Sequence, residues 1–120
     1  MGLKDELFEI EEGFWTGGED YFRAHLDEDC LIAFPQMAGS YSRDEVAATA
    51  KDPLRWKGLE TESKGFIHPI EDLAMLAYEA RAERGNGEPY HALVSTGYVR
   101  RDDGWKMAFH SQTPLVDAHG

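Results

Sequence analysis

DLAMLAYEARAERGNGEPYHALVSTGYVRRDDGWKMAFHSQTP, running from Asp72 to Pro114, carries the strand pattern that the rest of the chain must pack against. Three runs rich in Tyr, Val, Ala and Leu are separated by Gly85-Asn86-Gly87-Glu88 and Arg101-Asp102-Asp103-Gly104. Asn-Gly and Asp-Gly supply the positive φ angles of tight hairpins, so the runs read as an antiparallel meander. Pairing Arg84 with Pro89 and Arg100 with Trp105 sets Tyr78 opposite Ser95, and Ser95 opposite His110. Period-two alternation then gives two faces. The first is small and apolar, with Tyr78, Ser95, His110 and Gln112 set into it. Small residues beside a few polar groups leave room for a ligand, so this is the expected concave, helix-covered side. The second gathers Thr96, Tyr98, Trp105, Met107 and Phe109, with Glu79, Arg81, Glu83 and Arg100 toward one end.

Working outward, Leu3, Leu7, Ile10 and Phe14 recur at helical spacing, with Phe8 and Trp15 widening the stripe. Lys4, Glu6, Glu9, Glu11 and Glu12 are assigned to the opposite, polar side. Gly17-Gly18 breaks this helix, and Thr16 with Glu19 reads as a capping box for a second, short one. Asp27-Glu28-Asp29 is expected in a solvated loop. A strand follows from Cys30 to Phe34, stopped by Pro35, with a turn at Gly39-Ser40. Ser42 and Glu45 form a stronger capping box for a third helix reaching about Lys51, closed by Asp52-Pro53. Trp56 to His68 reads as a polar strand with a bulge at Gly65, and residues 69–72 turn the chain into the meander.

At 120 residues, the chain is expected to form one domain, residues 1–120, around one core. Its formal charge of −11, from 23 acidic and 12 basic residues, opposes binding to nucleic acid and to anionic membranes. No apolar run is long enough to span a bilayer, and a cytoplasmic location is the default. Cys30 is the single cysteine and reads as a small buried hydrophobe. His25, His68, His91 and His119 show no ligand spacing, so neither metal nor cofactor is expected.

Two helices, a strand, a helix and four long antiparallel strands make an α+β arrangement, a curved sheet closed by helices on one side. Gly17-Gly18-Glu19-Asp20, the Phe34 to Arg43 crossover and the ending Tyr98 to Pro114 resemble the SnoaL-like branch of the nuclear-transport-factor-two-like superfamily. The resemblance implies a cone-shaped, cystatin-like barrel enclosing a pocket, and a homodimer formed through the sheet. Isomerase-like members carry a carboxylate base just after the first strand, a position that falls here at about Gln36. Their helical tyrosine falls near Glu11.

His110 is the candidate catalytic residue, since an imidazole in an apolar pocket serves as acid or base near neutral pH. The alternative is a structural histidine held by a neighbouring hydroxyl, because no carboxylate shares its face. Tyr78, Ser95 and Gln112 are candidates to bind a carbonyl or hydroxyl, and Gln36, Trp15 and Trp56 to line the pocket. The function expected is binding of a small molecule in a mostly apolar pocket, or cofactor-free lyase or isomerase chemistry on a small oxygenated compound. The alternative is a non-catalytic binding or dimeric assembly domain.

Overall fold

Leu7, Glu11, Phe14 and Trp15 sit at successive turns of one helical face, and all four are buried. They belong to α1 (Leu3–Thr16), the first element of a computed structural model that describes residues 2–52 and 55–115. Next come α2 (Glu19–His25), β1 (Leu26–Phe34), β2 (Met37–Ser42) and α3 (Arg43–Ala47), which tightens into a 3-10 turn at Ala48–Ala50. The long strands β3 (Trp56–Ile70), β4 (Leu73–Arg84), β5 (Pro89–Arg101) and β6 (Gly104–Pro114) complete the chain. They form one six-stranded sheet in the order β2-β1-β6-β5-β4-β3. Every pairing is antiparallel except β1 with β6. The architecture is the expected α+β one, with the helices on a single side of a curved sheet. Among the described residues, no helix is long and apolar enough to cross a membrane.

Local chemistry explains most boundaries. Ser42 accepts from the Glu45 amide at 3.2 Å while the Glu45 carboxylate accepts from the Ser42 amide at 3.0 Å, the capping box expected there. Thr16-Glu19 is not one: Thr16 belongs to α1, and Gly18 is the N-cap of α2 without a side-chain bond. The first hairpin turns at Pro35-Gln36, not Gly39-Ser40, pairing Phe34 with Met37. A register shift between Ser63 and Gly65 marks the expected bulge in β3. Gly87 (φ 89°) and Gly104 (φ 116°) take the positive φ that the two meander turns require. Pro53 and His119 lie outside the described residues.

Two one-residue shifts correct the predicted strand faces. Glu83, not Arg84, pairs with Pro89, because the loop closes on itself: the Arg84 amide donates to the Glu88 carbonyl at 2.8 Å. Tyr78 therefore faces Val94, and β5 turns Thr96 and Tyr98 inward and Ser95 outward. Arg100 does pair with Trp105, but an irregularity beyond Tyr98–Met107 brings Phe109 opposite Gly97 and His110 opposite Thr96. That bulge turns both Met107 and His110 inward. The proposed aromatic outer patch is thus overturned. Tyr98 (0% exposed) and Met107 (3%) are core residues, Trp105 packs against the core, and Phe109 alone lies outside, over Gly97.

Asp27 also departs from its expected place in a solvated loop. It is buried in β1, where Arg101 donates to both its carboxylate oxygens at 2.8 and 2.9 Å. That bidentate pair holds the Asp27 carboxyl below its ordinary value. Cys30 is the buried small residue expected, its thiol pushed up to about 11 chiefly by burial.

Candidate functional site

The helices close the concave face over a cavity of about 420 Å³. Phe14 and Phe22 from the first two helices, Ile32 and Phe34 from β1 and Met107 from β6 supply its apolar wall. Of the predicted site residues, His110, Gln112, Gln36, Trp15 and Trp56 line this space. Tyr78 does not: it is buried one layer behind, where Trp15 Nε1 donates to its hydroxyl at 2.9 Å. Ser95 is exposed on the outer face of the sheet, and Thr96 takes its place beside His110.

Behind the cavity lies a carboxylate that the sequence reading placed on the polar side of α1. Glu11 is 1% exposed. The Tyr78 hydroxyl donates to its Oε2 at 2.6 Å, Thr96 Oγ1 to the same oxygen at 2.9 Å, and the Tyr98 hydroxyl to Oε1 at 2.6 Å. Three hydroxyl donors satisfy a buried carboxylate that would otherwise be strongly unfavourable. Burial, followed by the charge of Glu11, raises Tyr78 and Tyr98 well above the ordinary tyrosine value, so both remain donors. Helical spacing could have found Glu11, which stands four residues after Leu7 and before Trp15, and its correspondence to a helical tyrosine pointed the same way.

His110 joins this network to the cavity wall. Its Nδ1 is 3.0 Å from Thr96 Oγ1 and 3.4 Å from Glu11 Oε2, so a carboxylate does stand behind the ring. Because the Thr96 proton goes to Glu11, Thr96 must accept from Nδ1–H, which leaves Nε2 as the acceptor. The Gln112 amide nitrogen lies 3.0 Å from Nε2, and the Tyr90 hydroxyl donates to Gln112 Oε1 at 2.6 Å. Donors therefore run in one direction from Tyr90 through Gln112, His110 and Thr96 to Glu11. Burial lowers the His110 pKa from 6.5 and outweighs the opposing charge of Glu11. A second proton would also set Nε2–H against the Gln112 amide donor. The hydrogen bonds around the ring favour the Nδ1–H tautomer, and burial favours its neutral form.

The mouth has a different character. Trp15, Trp56 and Tyr90 cluster there, with centroids 5.0 Å apart between the two indoles and 4.9 Å between Trp56 and Tyr90. The Arg84 guanidinium lies over Trp56 and Tyr90, 5.1 and 4.8 Å from their centroids. Arg55, tied to the turn after β4 by the Gly85 amide on its carbonyl, donates to the carbonyls of Phe14 at 2.7 Å and Gly17 at 3.0 Å. Since the last turn of α1 has no basic residue of its own, Arg55 supplies the cation that a helix C-terminus favours. Burial pulls its guanidinium below the ordinary value, which nearby Asp52 opposes. Sequence reasoning missed both arginines, and no motif marks them.

No family model matches the chain, and no curated protein matches it. Solved structures do. An NTF-2 like protein of unknown function from Shewanella oneidensis MR-1 is 17% identical with a TM-score of 0.72, covering 91% of this chain and 97% of its own. A ketosteroid isomerase-like protein from Erwinia carotovora atroseptica is 14% identical with a TM-score of 0.72, covering 96% and 95%. A putative calcium/calmodulin-dependent protein kinase type II association domain from Thiobacillus denitrificans is 22% identical with a TM-score of 0.68, covering 89% and 90%. The chain has the nuclear-transport-factor-two-like fold, the cone-shaped α+β class that its sequence resembles. That fold hosts many activities, so function has to be argued from the cavity.

Proposed function

We propose that this domain binds a small, mostly apolar, oxygenated molecule inside the cone. The observation that carries this reading is the cavity of about 420 Å³, in whose aromatic and aliphatic wall the polar groups of Tyr90, Gln112 and His110 are joined. A ligand of this kind buries its apolar body and hydrogen-bonds to the few polar groups at hand. The neutral solvatochromic dye prodan should bind with a blue-shifted emission. The cavity-filling variant Met37→Trp, with its melting temperature checked, should weaken that binding by about tenfold or more, the effect of losing roughly 1.4 kcal/mol. A dye whose emission never shifts would remove the reading.

Cofactor-free lyase or isomerase chemistry is a second reading, favoured by Glu11 standing behind His110. A ligand displacing the Gln112 amide would meet the Nε2 lone pair of a ring whose other nitrogen lies 3.4 Å from a carboxylate, an arrangement suited to moving a proton beside a carbonyl. The ketosteroid isomerase-like structure lends this a precedent of fold only. Deuterium exchange at the α-carbon of 2-tetralone is a direct probe. The protein should accelerate it over buffer and His110→Gln should not; equal rates for protein and buffer would reject catalysis.

A homodimer through the sheet belongs to the same proposal, on a corrected surface. Leu31, Phe109, Gly97, Met75 and Ile67 are register partners across five strands on the outer face. Leu31, Met75 and Ile67 of that row are exposed, as is Leu93 two residues along β5 from Ser95. A bare apolar sheet face of this kind is a natural two-fold contact.

A further inference from the structure

Among the described residues lining the cavity there is no Asp or Glu, although the chain carries 23 acidic residues against 12 basic ones. The formally charged lining residues are Arg55 and Arg84. Both stand at the mouth, where Trp56 at the start of β3 pairs with Arg84 at the end of β4. Arg55 already donates to backbone carbonyls and contributes mainly a positive field. Arg84 differs. Its Cζ lies over both the Trp56 and Tyr90 rings, and no carboxylate or carbonyl among the described residues accepts from its guanidinium.

We propose that the cavity selects an apolar monocarboxylate, its carboxylate received by Arg84 at the mouth and its body by the wall of Phe14, Phe22, Ile32 and Met107. This rests on the binding reading above and adds the charge and orientation of the ligand. A guanidinium over two rings whose N–H groups have no protein acceptor among the described residues keeps paired donors that match a carboxylate's two oxygens. Contact with the two rings restricts the side chain before the ligand arrives, which reduces the entropy lost on binding. Excluding acids from the wall, in a chain so rich in them, removes the repulsion that would otherwise meet an anion. Tyr90 and Gln112 engage each other, and Arg55, the other cation, already donates to the carbonyls of Phe14 and Gly17, so no second cation is free to receive a dicarboxylate.

Matched acids and primary amides separate charge from shape. Displacement of prodan by octanoate and 2-naphthoate would be compared with displacement by octanamide and 2-naphthamide, in wild type and in Arg84→Met. Methionine keeps an unbranched apolar stem without the charge, and circular dichroism would confirm the fold. In wild type at low salt the acids should bind about tenfold tighter than the amides, the scale of one charge-assisted hydrogen bond. Arg84→Met should remove that gap while amide binding stays within about twofold, and Arg84→Lys should retain part of it. Amides binding as tightly as acids, or equal losses for both in Arg84→Met, would overturn the carboxylate assignment and leave cavity binding standing. If prodan binds but neither acids nor amides displace it, the assignment fails; if prodan does not bind at all, the cavity reading fails with it.

Discussion

Glu11 decides how the interior is wired; helical spacing puts it on the buried stripe of α1, but nothing local names its partners. Its partners Tyr78, Thr96 and Tyr98 stand 67, 85 and 87 residues away, on strands whose faces depend on loop closure and a bulge. A carboxylate within a run of acids reads as solvated because carboxylates almost never lie buried unless paired. The pairing here is tertiary and so escapes the sequence. His110 was legible for the opposite reason. The one-residue shift between β4 and β5 and the bulge in β6 cancel, returning His110 to the inner face although Ser95 was misplaced. Glu11→Ala would leave three inward hydroxyls without their acceptor and should cost about 3–5 kcal/mol in denaturant unfolding. Glu11→Gln keeps one acceptor oxygen and should cost about 1–3 kcal/mol. Equal and negligible losses would mean that the network is not formed.

At the scale of elements, existence and order were readable while registers were not. The stripe from Leu3 to Phe14 and the Ser42–Glu45 box are local patterns and gave α1 and the start of α3. The turn residues marked both hairpins, but loop closure by the Arg84 amide on the Glu88 carbonyl is a choice that the residue types leave open. Packing between elements can also reverse a local preference. Gly13 lies in the last turns of α1, where Ala would favour the helix by about 1 kcal/mol. A Cβ there would overlap the Tyr21 ring and hydroxyl, which donates to the Ile10 carbonyl at 2.8 Å and stacks edge-on to Phe14. Gly13→Ala should therefore lower stability by about 1–3 kcal/mol. In a Tyr21→Ala background the same change should raise it. A stabilising Gly13→Ala in the wild-type chain would contradict the packing of α2 on α1.

For the whole molecule, the cone and its single covered face followed from element order, but the composition of the open face did not. The apolar row from Leu31 to Ile67 emerges only once β5 and β6 are set in register. Sedimentation at micromolar concentration should give a dimer, and Leu31→Asp with Ile67→Asp should raise its dissociation constant by well over tenfold without loss of circular dichroism. A monomeric wild type would refute the interface and leave the cavity untouched.

Where α1, β5 and β6 meet, buried Glu11 and Thr96 orient His110 on the cavity wall. Long-range proton–nitrogen correlation spectra of the imidazole nitrogens test this arrangement most directly. They should show the Nδ1–H tautomer, with a pKa below the ordinary 6.5 that falls further in Glu11→Gln, since Glu11 is the group opposing the shift. An Nε2–H tautomer, or a pKa unchanged by Glu11→Gln, would contradict it.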